Sequence, residues 1–201
     1  MKRMGVFYAT REGQTKRIAD YVAAIASAEG FEMDVYDVRN LEDDVTVRDY
    51  AGIVFAASLH TGKYEREMAH FLEEHREGLR GVPTCFISVS LTEATVEKET
   101  ATTEEKDRAL ATLKLAMDKL FEYTGWHPDQ IKSVAGALAY SKYNFVLRFL
   151  MKQIAKHEGG STDTSHDYEY TDWVSLKHFI EEFAGSLETH EVAAHSALVA
   201  F

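Results

Sequence analysis

Short apolar runs alternate along this chain with longer stretches of helical periodicity, and this alternation predicts strands separated by helices. Continuous apolar runs of about five residues are typical of strands that are covered on both faces of a sheet. Residues 31–38 instead alternate apolar with polar side chains, as a half-buried edge strand does. The predicted strands are, in chain order, residues 5–9, 31–38, 53–57, 85–89 and 131–138.

The stretches between these strands place apolar residues on one helical face. In the first of them, Ile18, Val22 and Ile25 recur three or four residues apart. Thr102 and Glu105 have the spacing of a capping box, which predicts the start of a long helix. Strands that alternate with helices form a parallel sheet with right-handed crossovers, so we predict an α/β fold with a doubly wound five-stranded parallel sheet. The predicted helices cover residues 15–28, 65–79 and 102–125, and a last segment that begins near residue 172.

Length, charge and cysteine content narrow the class of protein. The 201 residues suffice for one domain with a sizeable core, which we assign to residues 1–187, followed by a tail at 188–201 that we expect to be flexible. The formal net charge of −11 argues against nucleic acid as a partner. A single cysteine, Cys85, excludes an internal disulfide and fits a reducing compartment. No apolar stretch predicts a signal peptide or a spanning helix, so we expect a cytoplasmic protein.

The run Thr10-Arg11-Glu12-Gly13-Gln14-Thr15 lies between the first predicted strand and the first predicted helix. This order brings backbone N–H groups, two threonine hydroxyls and the positive end of a helix dipole to one point, where a phosphate dianion binds. Gly13 lets the backbone come close to a ligand because it carries no Cβ. The alternative is that Thr10 or Thr15 merely caps the helix. The crowding of hydroxyl and glycine positions in one loop favours the phosphate site.

Absent motifs restrict which phosphate ligand this loop holds. The chain contains no G-x-x-x-x-G-K-[ST] run, which argues against an ATP or GTP site, and no G-x-G-x-x-G follows the first strand. Threonines around one glycine suit a terminal monophosphate. The histidines and the cysteine lack the spacing of a zinc site, so we expect no metal.

The run at residues 10–15 resembles the phosphate loop of the flavodoxin family, usually Thr/Ser-x-Thr/Ser-Gly-x-Thr, which holds the FMN phosphate. It departs from that pattern at Glu12, where many flavodoxins carry a hydroxyl residue. The resemblance implies FMN as the cofactor and a flavodoxin-like sheet with the strand order 2-1-3-4-5. In open sheets of this class the ligand lies beyond the carboxyl ends of the strands, where the strand order reverses.

The same resemblance implies that two further loops embrace the isoalloxazine ring of FMN. In these loops Gly62 would present its backbone near the reactive flavin nitrogen. For Tyr64, contact with the ring and packing at the start of the next helix are equal alternatives. The residues concerned are Ser58, Leu59, His60, Thr61, Gly62, Lys63 and Tyr64 after the third predicted strand, and Ser90, Leu91 and Thr92 after the fourth.

An insertion at about residues 139–170 separates the fifth predicted strand from the last helix and exceeds what a minimal five-stranded domain needs. Within residues 139–157 there is no acidic residue, and Arg148, Lys152 and Lys156, which recur every four residues, form one stripe if the segment is helical. Such a helix can lie on an anionic membrane or dock a partner. The alternative is that its apolar face packs on its own domain. The basic residues are Lys142, Arg148, Lys152 and Lys156.

Several segments together resemble the quinone-dependent protoporphyrinogen oxidase branch of the flavodoxin superfamily, and the likeness covers roughly residues 1–187. Members of that branch use FMN to oxidise protoporphyrinogen and pass the electrons to a membrane quinone. The resemblance therefore implies this reaction, with Lys63, Lys142 and Arg148 as candidate partners of a substrate propionate. The segments are residues 10–15, Gly136-Ala137-Leu138, the aromatic and basic stretch, residues 159–164 and Tyr170-Thr171-Asp172-Trp173.

The chain departs from this branch at His60 and Thr61, at the glutamates that follow the fourth strand, and at Ala139, where the branch tends to carry other residues, most of them basic. Two functional classes therefore stay open. One is an FMN-dependent oxidoreductase that passes electrons from a reduced organic substrate, with protoporphyrinogen IX as the leading candidate, to a quinone, with the flavin doing the chemistry. The other is a flavodoxin-type electron carrier that docks a redox partner protein. The basic insertion favours the enzyme, with peripheral contact at the inner face of the membrane.

Overall fold

A computed structural model describes residues 2–41, 45–138 and 163–199, of which 189–199 are described by backbone alone. The strands are β1 (Arg3–Ala9), β2 (Glu32–Asp37), β3 (Gly52–His60), β4 (Lys63–Tyr64), β5 (Thr84–Ser90), β6 (Gln130–Ala135), β7 (Ala137–Leu138) and β8 (Tyr168–Glu169). The helices are α1 (Gln14–Ala28), α2 (Arg66–His75), α3 (Leu91–Glu97), α4 (Thr103–Thr124) and α5 (Trp173–Val199), and a 3₁₀ turn covers Val47–Asp49.

Five strands form the main sheet in the order β2-β1-β3-β5-β6, and every neighbouring pair is parallel. The predicted strand order is therefore confirmed, because β4 is a short addition that pairs only with the end of β3. The register aligns the carboxyl ends of the central strands: Ala9 lies opposite Ala57, and Ser58 lies opposite Val89. The segments that follow β1, β3 and β5 consequently meet at one edge of the sheet.

Two apolar cores cover the two faces of the sheet, as expected for a doubly wound fold. Alternate residues of β1 point to opposite faces, with Val6 in one core and Phe7 in the other. The core around Val6 includes Ile18 of α1 and Ile180 of α5. The core around Phe7 includes residues of α2 and α4, among them Leu120.

Several predicted boundaries were wrong, among them the end of the helix predicted at 65–79, which is α2 and ends at His75. The segment Ser58–Tyr64 is not a loop, because β3 continues to His60 and turns directly into β4. Helix α3 begins immediately after β5, so that Leu91 and Thr92 are helical. The single strand predicted at 131–138 is interrupted at Gly136. The chain leaves the main sheet there, after β6, and continues as β7, which pairs antiparallel with β8.

Helix α5 extends to Val199 and includes most of the residues that we assigned to a C-terminal tail. The predicted basic helix at 139–157, with Lys142 and Arg148, lies outside the described residues. Within the described ranges, no helix is both long enough and apolar enough to cross a membrane.

Candidate functional site

The candidate site lies at the carboxyl edge of the main sheet, where the segments after β1, β3 and β5 converge. Each strand brings a polar residue to this edge directly after a buried apolar stretch: Thr10 after β1, Ser58 in the last part of β3 and Ser90 at the end of β5. All three are buried. Buried polar side chains therefore line this edge of an otherwise apolar sheet. A ligand site is expected at such an edge, where the strand order reverses.

The loop from Thr10 to Gly13 folds back on itself before α1 begins. The backbone N–H of Gly13 donates a hydrogen bond of 3.0 Å to Thr10 Oγ1. Gly13 is the residue before the helix, its φ is 95°, and no side chain caps the first turn of α1. The alternative that Thr10 or Thr15 caps the helix is therefore wrong. The positive φ explains why glycine occupies this position, since other residues adopt that conformation at a cost.

The buried hydroxyl of Thr15 indicates where a ligand binds. Its side chain is only 1% exposed, yet its Oγ1 has no hydrogen-bond partner. Buried hydroxyls are nearly always paired, so an orphaned one beside a helix N-terminus indicates a group that binds there. The first N–H groups of α1 lack intrahelical acceptors and point to the same place with the positive end of the helix dipole. These donors fit a phosphate group.

The side chain of Gln14 makes hydrogen bonds within the protein. Its amide nitrogen donates hydrogen bonds of 2.9 Å to Glu169 on β8 and to Thr171. Arg17, one turn further along α1, lies 3.1 Å from the Glu169 carboxylate. The side chain of Gln14 thus fastens the loop to the β7–β8 hairpin, and only its backbone remains to face a phosphate. Arg11 is exposed.

The end of β3 and β4 form a tight hairpin around Thr61 and Gly62. His60 pairs with Lys63, and both turn residues have positive φ, 48° for Thr61 and 76° for Gly62. This is the conformation of a two-residue type I′ turn, which glycine adopts readily and a β-branched residue does not. The turn residues and Lys63 are exposed, while Leu59 is half-buried.

The side chain of Tyr64 makes its contacts within the protein. Its hydroxyl pairs with Ser88 Oγ of β5 at 2.7 Å, and its ring packs edge-on against Phe86 at 5.2 Å between centroids. Burial raises the pKa of the Tyr64 phenol. Tyr64 therefore packs under the edge of the sheet, in the core rather than on its surface.

Glu65, immediately before α2, is the first functional candidate that the sequence did not suggest. It is 2% exposed, it accepts a short hydrogen bond from Ser58, and its second carboxyl oxygen has no partner. Burial raises the pKa of this carboxyl to about 7, against the lowering effect of the Ser58 hydrogen bond and of Arg11. His60 lies beside this pair, and burial lowers the pKa of its imidazole.

The segment after β5 holds a second buried carboxyl. Ser90 caps α3 by accepting a hydrogen bond of 3.1 Å from the N–H of Glu93. The Glu93 side chain is 9% exposed and one of its oxygens has no partner. Burial raises the pKa of Glu93 to about 7, as does the neighbouring Glu97, while Lys132 opposes the shift. Leu91 and Thr92 are half-buried in the first turn of α3.

The orphaned buried oxygens of the described residues all lie at this edge. They belong to Thr15, Glu65 and Glu93, which follow β1, β3 and β5 respectively. Ordinary packing scatters such atoms, whereas a binding site collects them because its ligand supplies their partners. The capping-box spacing from Ser90 to Glu93 is a sequence signal that could have located α3 and Glu93. No comparable signal exists for Glu65, which stands in a charged run.

Comparisons with known proteins show the family to which this chain belongs. The flavodoxin domain family model matches residues 5–165. The protein named protoporphyrinogen IX dehydrogenase (quinone) of Escherichia coli strain K12 is 34% identical over 179 residues, which covers 89% of this chain and 93% of that protein. The Leishmania major protein of the same name is 32% identical and covers 89% of this chain and 73% of that protein.

Solved structures support the fold. A mutant flavodoxin from Pseudomonas aeruginosa has a TM-score of 0.50 at 13% identity and covers 92% of this chain and 99% of its own. A WrbA-like flavodoxin from Agrobacterium tumefaciens has a TM-score of 0.50 at 14% identity and covers 94% and 99%. The family model and the two relatives show that the chain belongs to the flavodoxin domain family. Within that family it is similar to the protoporphyrinogen IX dehydrogenases, as the sequence predicts.

Proposed function

We propose that this protein is an FMN-dependent oxidoreductase that passes electrons from a reduced organic substrate to a quinone, with protoporphyrinogen IX as the leading substrate. Membership of the flavodoxin domain family implies a flavin cofactor. The observation that carries the proposal is the buried, unpartnered hydroxyl of Thr15 at the start of α1, beside two buried carboxyls at the same edge. The names of the relatives supply the substrate and acceptor.

FMN fits this site better than a dinucleotide because the loop offers donors for one terminal phosphate. In the proposal, residues 10–15 hold that phosphate: Thr10 and Thr15 with their hydroxyls, Arg11 with its charge, and Glu12 and Gln14 with backbone N–H groups, while Gly13 leaves room for the close approach. The hairpin at Ser58–Tyr64 and the segment Ser90–Thr92 border the isoalloxazine ring. Among these residues, Tyr64 and Ser90 act by holding β4 and α3 in position.

Bound FMN would supply the two-electron chemistry, and the protein would supply binding, orientation and control of protons. For a substrate that carries propionates, one candidate partner is Lys63, which is exposed on the hairpin at the edge of the site. Lys142 and Arg148 complete that set and belong to the basic segment 139–157, for which we propose peripheral contact with the inner face of the membrane. Such contact would bring the site close to a lipid-soluble quinone.

An anaerobic two-step reaction tests the function. Protoporphyrinogen should bleach the absorbance of the bound FMN under nitrogen, and a soluble quinone should restore it. The alternative is a flavodoxin-type carrier, which the net charge of −11 favours because an acidic surface docks basic redox partners. Absence of bleaching by protoporphyrinogen, together with rapid reduction by a flavodoxin reductase, would replace the enzyme by the carrier.

A further inference from the structure

Glu65 combines features that a merely structural carboxyl does not need. Its side chain is 1% exposed at the edge of the candidate site, one oxygen accepts a short hydrogen bond from Ser58, and the other oxygen has no partner. An ionised carboxylate in such a place loses hydration without full compensation. The group is therefore poised between its two protonation states.

The surroundings of Glu65 come from three segments of the chain: the phosphate loop, β3 and β4. Arg11 of the phosphate loop stabilises the carboxylate, Ser58 of β3 donates to it, and burial acts against both. Tyr64 of β4 is neutral beside it, and His60, itself near Glu12, lies on its solvent side. With these contributions the pKa of Glu65 is about 7, which suits a group that takes up and releases a proton near neutral pH.

A short chain of polar atoms leads from Glu65 towards solvent. His60 Nε2 lies 3.2 Å from Ser58 Oγ and 3.5 Å from Glu65 Oε1. The His60 side chain is 32% exposed, whereas that of Glu65 is 1% exposed. A proton on the buried carboxyl can therefore exchange with water through the serine hydroxyl and the imidazole, without opening the site.

We propose that Glu65 holds the proton that accompanies electron transfer at this site, with Ser58 and His60 as its path to solvent. The proposal rests on the function proposed above. For each two-electron oxidation, the substrate would give up a hydride equivalent to bound FMN, and the Glu65 carboxylate would accept the accompanying proton. The quinone would then receive that hydride equivalent from the cofactor and the proton from Glu65, which would yield a quinol and restore the Glu65 carboxylate.

Glu93 is the natural competitor for this role because it is also buried and also carries an unpartnered oxygen. Its contacts differ, however. Its charged neighbours are Glu97 and Lys132, and the described residues give its carboxyl no hydrogen-bonded chain to an exposed group of the kind that His60 provides. Glu93 is thus a matched control: a second buried glutamate at the same edge without the relay.

The protonation of Glu65 can be measured on the protein without FMN. Infrared difference spectra between about pH 5 and pH 9 should contain the carbonyl bands of two neutral carboxylic acids, those of Glu65 and Glu93, which both disappear near neutral pH. Glu65→Gln should remove one component, and Glu93→Gln should remove the other. Ser58→Ala should move the midpoint of the Glu65 component alone to higher pH, because that carboxylate loses a donor. Identical spectra for the wild type and Glu65→Gln would overturn the assignment.

The redox part is measured on the FMN-loaded protein. The midpoint potential of wild type and Glu93→Gln should change slope with pH near neutrality, and Glu65→Gln should lack that change. Reduction by substrate should be about a hundredfold slower in Glu65→Gln, with Glu65→Asp retaining most of the rate. Identical potential profiles in wild type and Glu65→Gln would overturn the proposal. Failure of protoporphyrinogen to react would instead count against the proposed function, because the potential and infrared measurements need no substrate.

Discussion

The side-chain amide of Gln14 donates a hydrogen bond of 2.9 Å to Thr171 Oγ1, across a sequence separation of 157 residues. Thr171 donates in turn to the backbone carbonyl of Ala135, at 2.7 Å, where β6 ends. The start of α1, the end of β6 and the segment that leads into α5 are thereby joined through one buried hydroxyl. The phosphate loop is held in position from outside its own sequence.

Thr171→Val should destabilise the protein because the buried carbonyl of Ala135 and the amide of Gln14 both lose a partner. We expect the free energy of unfolding in urea to fall by about 1–3 kcal/mol. Thr112→Val is the control, since Thr112 also donates to a backbone carbonyl but lies exposed on α4. Equal losses in the two variants would show that the bridge to Gln14 contributes nothing specific.

Thr15→Val is the same chemical change, but it should affect FMN binding and not stability. The Thr15 hydroxyl has no partner in the protein, so its removal should leave the free energy of unfolding of the FMN-free protein unchanged or slightly higher. A hydrogen bond to the charged phosphate should be lost, and the Kd for FMN should rise about tenfold to a hundredfold. Fluorescence titration of FMN measures this. An unchanged Kd would mean that Thr15 does not face the cofactor.

Gly13→Val should weaken FMN binding because a side chain would occupy the loop where the backbone must approach the phosphate, at a φ of 95°. Gly30→Val is a closely matched control: its φ is 92°, open space surrounds its Cβ position, and it follows the opposite end of α1. Both variants should lose stability from backbone strain. At a temperature where both are folded, only Gly13→Val should show a Kd for FMN raised by at least about tenfold. Equal affinities in the two variants, or tighter binding of FAD than of FMN by the wild type, would contradict the assignment.

The strand order and the phosphate loop could be predicted because their signals are local. Apolar runs such as residues 53–57 mark buried strands, and the position of Gly13 between a strand and a helix reports a backbone requirement. These signals survive without knowledge of tertiary contacts. The sheet that they predict then fixes which loops share an edge.

The roles of individual polar side chains could not be predicted in the same way. Glu65 lies in the run Lys63-Tyr64-Glu65-Arg66-Glu67, which resembles the solvated start of a helix. Its environment depends on the turn of β3 into β4 and on the charge of Arg11 in the phosphate loop, and neither of these leaves a periodic pattern in the sequence. The orientation of the Tyr64 side chain likewise depends on a hydrogen-bond partner, Ser88, that lies on another strand.

The variant Tyr64→Phe tests whether the Tyr64 side chain acts in the core and not on the flavin ring. The variant should lose the buried hydrogen bond to Ser88 and about 1 kcal/mol of unfolding free energy, while its Kd for FMN should equal that of the wild type. Tyr123→Phe, on the exposed surface of α4, should change neither quantity. A loss of FMN affinity without a loss of stability would restore the alternative that Tyr64 contacts the flavin ring.

The two buried glutamates should make stability depend on pH in a direction opposite to that of paired surface carboxylates. Burial raises the pKa of Glu65 and Glu93 from 4.5 to about 7, so between these values the folded protein binds more protons than the unfolded chain. The free energy of unfolding should therefore fall by on the order of 2 kcal/mol for each carboxyl as pH rises through this window, and it should level off above the window.

Urea unfolding of the FMN-free protein at about pH 5.5 and pH 8 measures this change in the free energy of unfolding. The double variant Glu65→Gln with Glu93→Gln should lose most of the decrease relative to wild type, and Glu122→Gln, on the exposed face of α4, should retain it. Parallel curves for the wild type and the double variant would mean that both carboxyls stay ionised in the folded protein.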